Sequence, residues 1–263
     1  MQVDDIPSSD NEVKQENDNN EGDIKIHSLV RLKKKVFVND KSSGFVDEQF
    51  VSPKFYNSFN YSILPSGNAE GKMVIGVTSA SPKDGKTLVA ANLGVSLALA
   101  RERSTVLIDL NIGRPQLHKV FGMPLSPGLL DALHESSIYI TETKFKNLSV
   151  LPAGNVTSNP ANDILLNAKN EKTDEINESN LGLLLEQLPE FRNIIYSLLE
   201  SYDSIIVDLP SMRDITVPPL FMSQLDGVII VVTAGVSKQE DIDKIVTQLE
   251  QHQILGFVMN RAT

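Results

Sequence analysis

Gly85, Lys86 and Thr87 follow an apolar run over residues 73–78 and open a helix-forming stretch. A strand, a turn-rich loop and a helix in that order form the context of a phosphate-binding loop. At such a helix start the backbone N–H groups have no partner inside the helix, and the helix dipole favours an anion. The stretch Asp84, Gly85, Lys86, Thr87 and Leu88 is therefore expected to cradle a nucleotide's phosphates. Lys86 would reach the outer phosphates as a point charge, and the Thr87 hydroxyl would meet Mg2+. The usual loop opens with a glycine where Ala80 stands here, so context carries this motif as much as its letters do.

Phosphoryl transfer from a triphosphate also needs carboxylates near the metal and the attacking group. Two apolar runs end in one: Val106-Leu107-Ile108-Asp109 and Ile205-Ile206-Val207-Asp208. An apolar strand ending in Asp is common in α/β folds of any function. Beside Lys86, however, Asp109 and Asp208 become candidates for catalysis and for holding Mg2+. His118 has no neighbour in sequence that would make it a metal ligand or a base, and it reads as structural.

These residues need a scaffold that brings strand ends together. Strands are expected over residues 73–78, 105–110, 148–151, 204–209, 227–233 and 256–259, the fifth apolar and β-branched throughout. Helices are expected over residues 86–103, 181–202 and 238–252. The first of these would place Leu88, Val89, Leu93, Leu97 and Leu99 on its apolar side. Alternating strands and helices predict an α/β fold: a doubly wound, mostly parallel sheet with helices on both faces, as in P-loop NTPases. Ligands in such sheets sit beyond the strand C-termini, where the 79–87 loop lies. The charged, Asn-rich stretch over 169–179 reads as an exposed insertion.

Composition limits the alternatives. The chain has 263 residues, 41% of them hydrophobic, which suits one α/β domain with an unpacked tail. Residues 1–45 form that tail, strongly acidic over the first two dozen positions, and residues 46–263 the P-loop domain. Arg31, Lys33, Lys34 and Lys35 make a small basic patch, read as a solvated edge. A net charge of −10 argues against nucleic-acid binding, and the absence of cysteine excludes disulfides and thiolate metal sites. With no apolar signal core and no run long enough to span a bilayer, the expected location is cytoplasmic.

Several ordered segments resemble bacterial tyrosine kinases of the capsule and exopolysaccharide type, within the MinD/ParA class of P-loop ATPases. Ser79 to Thr87 is similar to that family's Ser-x-x-Pro-Gly-Glu-Gly-Lys-Ser loop, with Lys83 in place of its first glycine. The run from Ile108 to His118 resembles the second acidic motif. Ser126-Pro127-Gly128-Leu129-Leu130-Asp131-Ala132-Leu133 and Leu151-Pro152-Ala153-Gly154 match two further stretches. The strand ending in Asp208-Leu209-Pro210, then Asp226-Gly227 and Gly256 to Arg261, complete the order. The resemblance covers the chain from about Glu48 onward.

The resemblance implies roles residue by residue. Lys86 and Thr87 would bind the phosphates and Mg2+ of ATP, and Asp109 would be the catalytic carboxylate. Asp208 would hold Mg2+ through water, and Asn260 would read the base with Arg261 beside it. The implied partner is a separate membrane protein that sets polysaccharide chain length, holding this chain at the inner face of the membrane. A homo-oligomer is also compatible.

Departures from the family pattern set up a second expectation. The family's second Asp in its Asp-x-Asp pair is Asn111, which has no charge and accepts no proton at neutral pH. In the ring-forming Glu-x-x-Arg-x-x-Arg motif Glu48 fits, but Val51 and Lys54 occupy the Arg positions. No cluster of tyrosines ends the sequence. A non-catalytic, ATP-dependent regulator of the polysaccharide machinery is therefore the alternative to a working kinase. A MinD/ParA-like positioning ATPase comes third, because Ser81 occupies the place of that class's extra lysine.

Overall fold

The computed structural model describes residues 35–39, 71–100, 102–155, 187–213, 219–249 and 254–261. The expected acidic tail before residue 35, the 169–179 insertion and the 48–54 segment lie outside the described residues. The strands are β1 (Lys35–Asn39), β2 (Met73–Ser79), β3 (Thr105–Asp109), β4 (Ser137–Glu142), β5 (Leu148–Leu151), β6 (Ser204–Asp208), β7 (Gly227–Thr233) and β8 (Ile254–Asn260). The helices are α1 (Lys86–Ala100), α2 (Leu117–Val120), α3 (Leu129–His134), α4 (Leu188–Leu199), α5 (Pro219–Met222) and α6 (Gln239–Gln248).

The strands form one eight-stranded sheet in the order β1-β4-β5-β3-β6-β2-β7-β8. Every pairing is parallel except β4 with β5. Strands β2, β3, β6 and β7 are buried along their whole length, as central parallel strands covered on both faces must be. Alternate residues of each strand feed two cores. Ile75, Val77, Leu107 and Ile206 pack with Val89, Leu93 and Leu97 of α1. Val106, Ile108, Val207 and Ile230 pack on the other face with Leu129 of α3, Phe191 and Ile194 of α4 and Ile245 of α6.

Three expectations need adjusting. Leu88 and Leu99 of α1 are 38% and 50% exposed rather than core-facing. Val89, Leu93 and Leu97, four residues apart, already fill the stripe that meets the sheet, and Leu88 falls outside it. The sheet also takes in β1, so Lys35 to Asn39 pair with β4 from within the stretch assigned to the tail. Strand β4 was not expected. Its period-two pattern, with Ile138 and Ile140 fully buried, was present but short.

Candidate active site at the strand ends

Strand β2 lies between β6 and β7, and β3 lies on the far side of β6. The register sets Val77 against Asp208, and Asp208 against Asp109. Two carboxylates thus stand side by side at the C-terminal end of the sheet, next to the loop that leaves β2. Helix α1 begins at Lys86, and its first backbone bond runs from the Val89 N–H to the Gly85 carbonyl. The N–H groups of Lys86, Thr87 and Leu88 precede that bond and face out of the helix end. Gly85 has φ +91°, and a Cβ there would overlap the Asn260 side-chain nitrogen, so this position needs glycine twice over.

The groups expected to carry chemistry converge. Thr87 Oγ1 donates a 2.6 Å hydrogen bond to Asp208 Oδ2, while Asp208 Oδ1 is buried without a partner among the described residues. Lys86 is buried, and its charge acts on both carboxylates. Burial pushes Asp208 up to about 8, with Asp109's negative charge adding to the rise and Lys86 and Thr87 opposing it. Burial likewise raises Asp109 to about 6, against three backbone N–H bonds and Lys86. Two such carboxyls, a lysine, a hydroxyl and an outward-facing helix terminus suit a divalent cation that bridges protein and phosphate. Among the described residues no group of three or more His, Cys, Asp or Glu could hold a metal ion.

Asp109 is more encumbered than expected. Its Oδ1 accepts from Asn111 N at 3.1 Å, and its Oδ2 accepts from Gln116 N and Leu117 N, both at 3.0 Å. It organises the whole 110–117 turn as well as facing the site. Asn111 is buried, and its amide donates to the Arg114 carbonyl at 2.9 Å. An ionised aspartate in that position could not make this bond.

Asp84 and Asn260 are both engaged in bonds within the protein. Asp84 is 3% exposed, and its carboxylate accepts from Thr233 Oγ1 and Ser81 N, both at 2.8 Å, and from Ser237 Oγ at 3.5 Å. Asn260, expected to read the base, donates its amide to the Asp84 carbonyl at 2.7 Å. The exposed Arg261 reaches the Lys83 carbonyl at 3.5 Å. Together these bonds clamp the loop to the ends of β7 and β8. Sequence reading missed Thr233 and Ser237. The clue was a carboxylate inside an anion-binding loop, which must turn away from the anion. Leu88 adds a backbone N–H but no side-chain contact to the phosphate face, its side chain being exposed. His118 is partly buried, which lowers its pKa.

The chain is similar to known proteins. Tyrosine-protein kinase CpsD of Streptococcus pneumoniae serotype 4 is 29% identical over 214 residues, covering 79% of this chain and 83% of CpsD. The solved chimerical protein CapA2B2 superposes with a TM-score of 0.64 at 26% identity, over 85% of this chain and 92% of that one. The chain is similar in sequence and in fold to bacterial tyrosine-protein kinases. The chain also matches a part of longer proteins. It is 25% identical to the succinoglycan biosynthesis transport protein ExoP of Rhizobium meliloti over 72% of its own length but 22% of ExoP's. MinD of Pyrococcus horikoshii, solved with Mg-ADP, shares the fold at a TM-score of 0.52 and 24% identity, over 72% of this chain and 70% of that one. No protein-family profile matches the chain. Among the described residues no helix is long and apolar enough to cross a membrane.

Proposed function

We propose that this protein binds Mg-ATP at the 79–87 loop and transfers the terminal phosphoryl group to tyrosine, as a kinase of exopolysaccharide or capsule assembly. The observation that carries the reading is the meeting of Lys86, Thr87, Asp109 and Asp208 at three neighbouring strand ends, with the Thr87 hydroxyl on Asp208. Bound Mg-ATP supplies the phosphoryl group and a cation that neutralises its charge. Lys86 offsets the charge that spreads over the outer phosphate oxygens. Asp208, whose Oδ1 is buried without a partner among the described residues, and Thr87 would hold the metal ion. Asp109 accepts the proton of the attacking hydroxyl, being largely ionised at neutral pH with its pKa near 6. The clamp from Asp84 and Asn260 fixes the loop, and Arg261 stands at its rim.

Similarity to ExoP, a transport protein of succinoglycan biosynthesis, supports a partner in polysaccharide export, which we take to be a membrane protein that sets chain length. In this reading that partner is a separate chain, and the kinase works in the cytoplasm at the inner face of the membrane. The catalytic domain comprises residues 46–263 together with β1, which joins its sheet.

A second reading, a non-catalytic ATP-dependent regulator, is favoured by Asn111, whose amide is spent on the Arg114 carbonyl. Incubation with γ-labelled ATP and Mg2+ separates the two. The kinase reading expects label on tyrosine that disappears in Lys86→Ala. Bound ATP with neither released phosphate nor labelled protein would establish the regulator instead.

A further inference from the structure

Two polar atoms near the end of β6 are buried without a hydrogen-bond partner among the described residues: Asp208 Oδ1 and Ser211 Oγ. Ser211 is 1% exposed. A buried hydroxyl with no partner carries its full desolvation penalty, and native proteins keep few of them. Asp208 Oδ1 already has an explanation in the proposed metal site. Ser211 has none.

Its place in the chain suggests one. The segment after β6 is pinned along the start of the phosphate loop. Leu209 N donates to the Val77 carbonyl at 2.9 Å, Thr78 Oγ1 to the Pro210 carbonyl at 2.7 Å, and Met212 N to the Ser79 carbonyl at 3.0 Å. Ser211 is therefore held between anchors, on the β6 side of the loop. The opposite side is clamped by Asn260 at the end of β8. A nucleotide held across the start of α1 with its outermost phosphate toward β6 would bring that phosphate to the side where Asp208 and Ser211 lie. The site there also carries two carboxyls that repel an anion. A neutral hydroxyl donor beside them offsets part of that repulsion without adding charge.

We propose that Ser211 binds the terminal phosphate of the nucleotide, so that the site distinguishes triphosphate from diphosphate. The inference rests on the Mg-ATP reading above and adds a specificity residue to it. The test compares the affinities of a non-hydrolysable Mg-ATP analogue and of Mg-ADP for wild type, Ser211→Ala and Lys86→Ala, together with the melting temperature of each nucleotide-free protein. Loss of one hydrogen bond to a charged group is expected to weaken the triphosphate analogue roughly tenfold or more in Ser211→Ala. Mg-ADP affinity should stay within about twofold, and the melting temperature should hold or rise because an unpartnered hydroxyl is gone. Unchanged affinity for both nucleotides overturns the proposal, making Ser211 a packing residue. An equal loss for both also overturns it, since that marks a distorted loop. If Lys86→Ala binds both nucleotides as well as wild type does, the nucleotide site itself is wrong, whatever Ser211 does.

Discussion

Lys83 shows how a single residue departs from the pattern the loop resembles and what that does. It stands where the resembling kinases have glycine, and its φ of +70° lies in the left-handed region. A side chain there strains the backbone, whereas glycine adopts the conformation freely. Lys83→Gly is therefore expected to stabilise the protein by roughly 0.5–1 kcal/mol, the relief of strain exceeding glycine's entropic cost. Urea unfolding of the two proteins checks this, and a fall in stability would mean that the lysine side chain holds the loop in some other way. Individual site residues were legible in sequence where their chemistry depends on position along the chain. Lys86, Thr87, Asp109 and Asp208 are fixed by motif and by strand ends. The roles of Asp84 and Asn260 were not legible, because their partners lie far away in sequence. Asn260 reaches back 176 positions to the Asp84 carbonyl, and Thr233 reaches 149 to the Asp84 carboxylate.

At the scale of elements, two of the resembling motifs prove to brace each other. Leu129 N and Leu130 N at the start of α3 donate to the carbonyls of Pro152 and Ala153 just beyond β5, at 2.7 and 2.9 Å. Gly154 N returns a bond to the Leu125 carbonyl at 2.9 Å. Asp131 caps the same turn, accepting from Gly128 N and Ser126 Oγ. A Cβ on Gly128 would collide with backbone atoms of Pro152 and Gly154, which cannot rotate away. Gly128→Ala is therefore expected to destabilise by about 2–3 kcal/mol, at the upper end for overpacking. The same change should leave nucleotide affinity intact wherever the protein remains folded. Thermal melts with and without Mg-ATP would show both, and a selective loss of binding would move this buttress into the site. The sequence revealed the long buried strands and helices α1, α4 and α6. It hid β4, because six residues that alternate between buried and partly exposed give a weak period and no run of apolar residues.

The whole molecule gathers two raised carboxyls into one site, and this ties stability to pH. Asp109 and Asp208 hold their protons up to about 6 and about 8 in the fold, against a usual value of 3.8. Between about pH 4 and 8 the folded state thus binds more protons than the unfolded chain, and stability falls as pH rises through that window. Metal-free protein should melt at a lower temperature at pH 8 than at pH 5 by this contribution, and Asp208→Asn should flatten the difference. An unchanged slope in Asp208→Asn would place the pH dependence elsewhere. The doubly wound architecture was readable from strand and helix alternation, because parallel strands buried on both faces leave continuous apolar runs. The extent of the sheet was not, since β1 joins it through backbone pairing with β4, which composition does not report. The central claim is that this sheet's strand ends build a Mg-ATP site around Lys86. Calorimetric titration of Mg-ATP into wild type and Lys86→Ala tests it most directly. Saturable binding at one site in the wild type, weakened at least tenfold in Lys86→Ala, is the expected result. Equal affinity in the two proteins, or no binding to either, would contradict it.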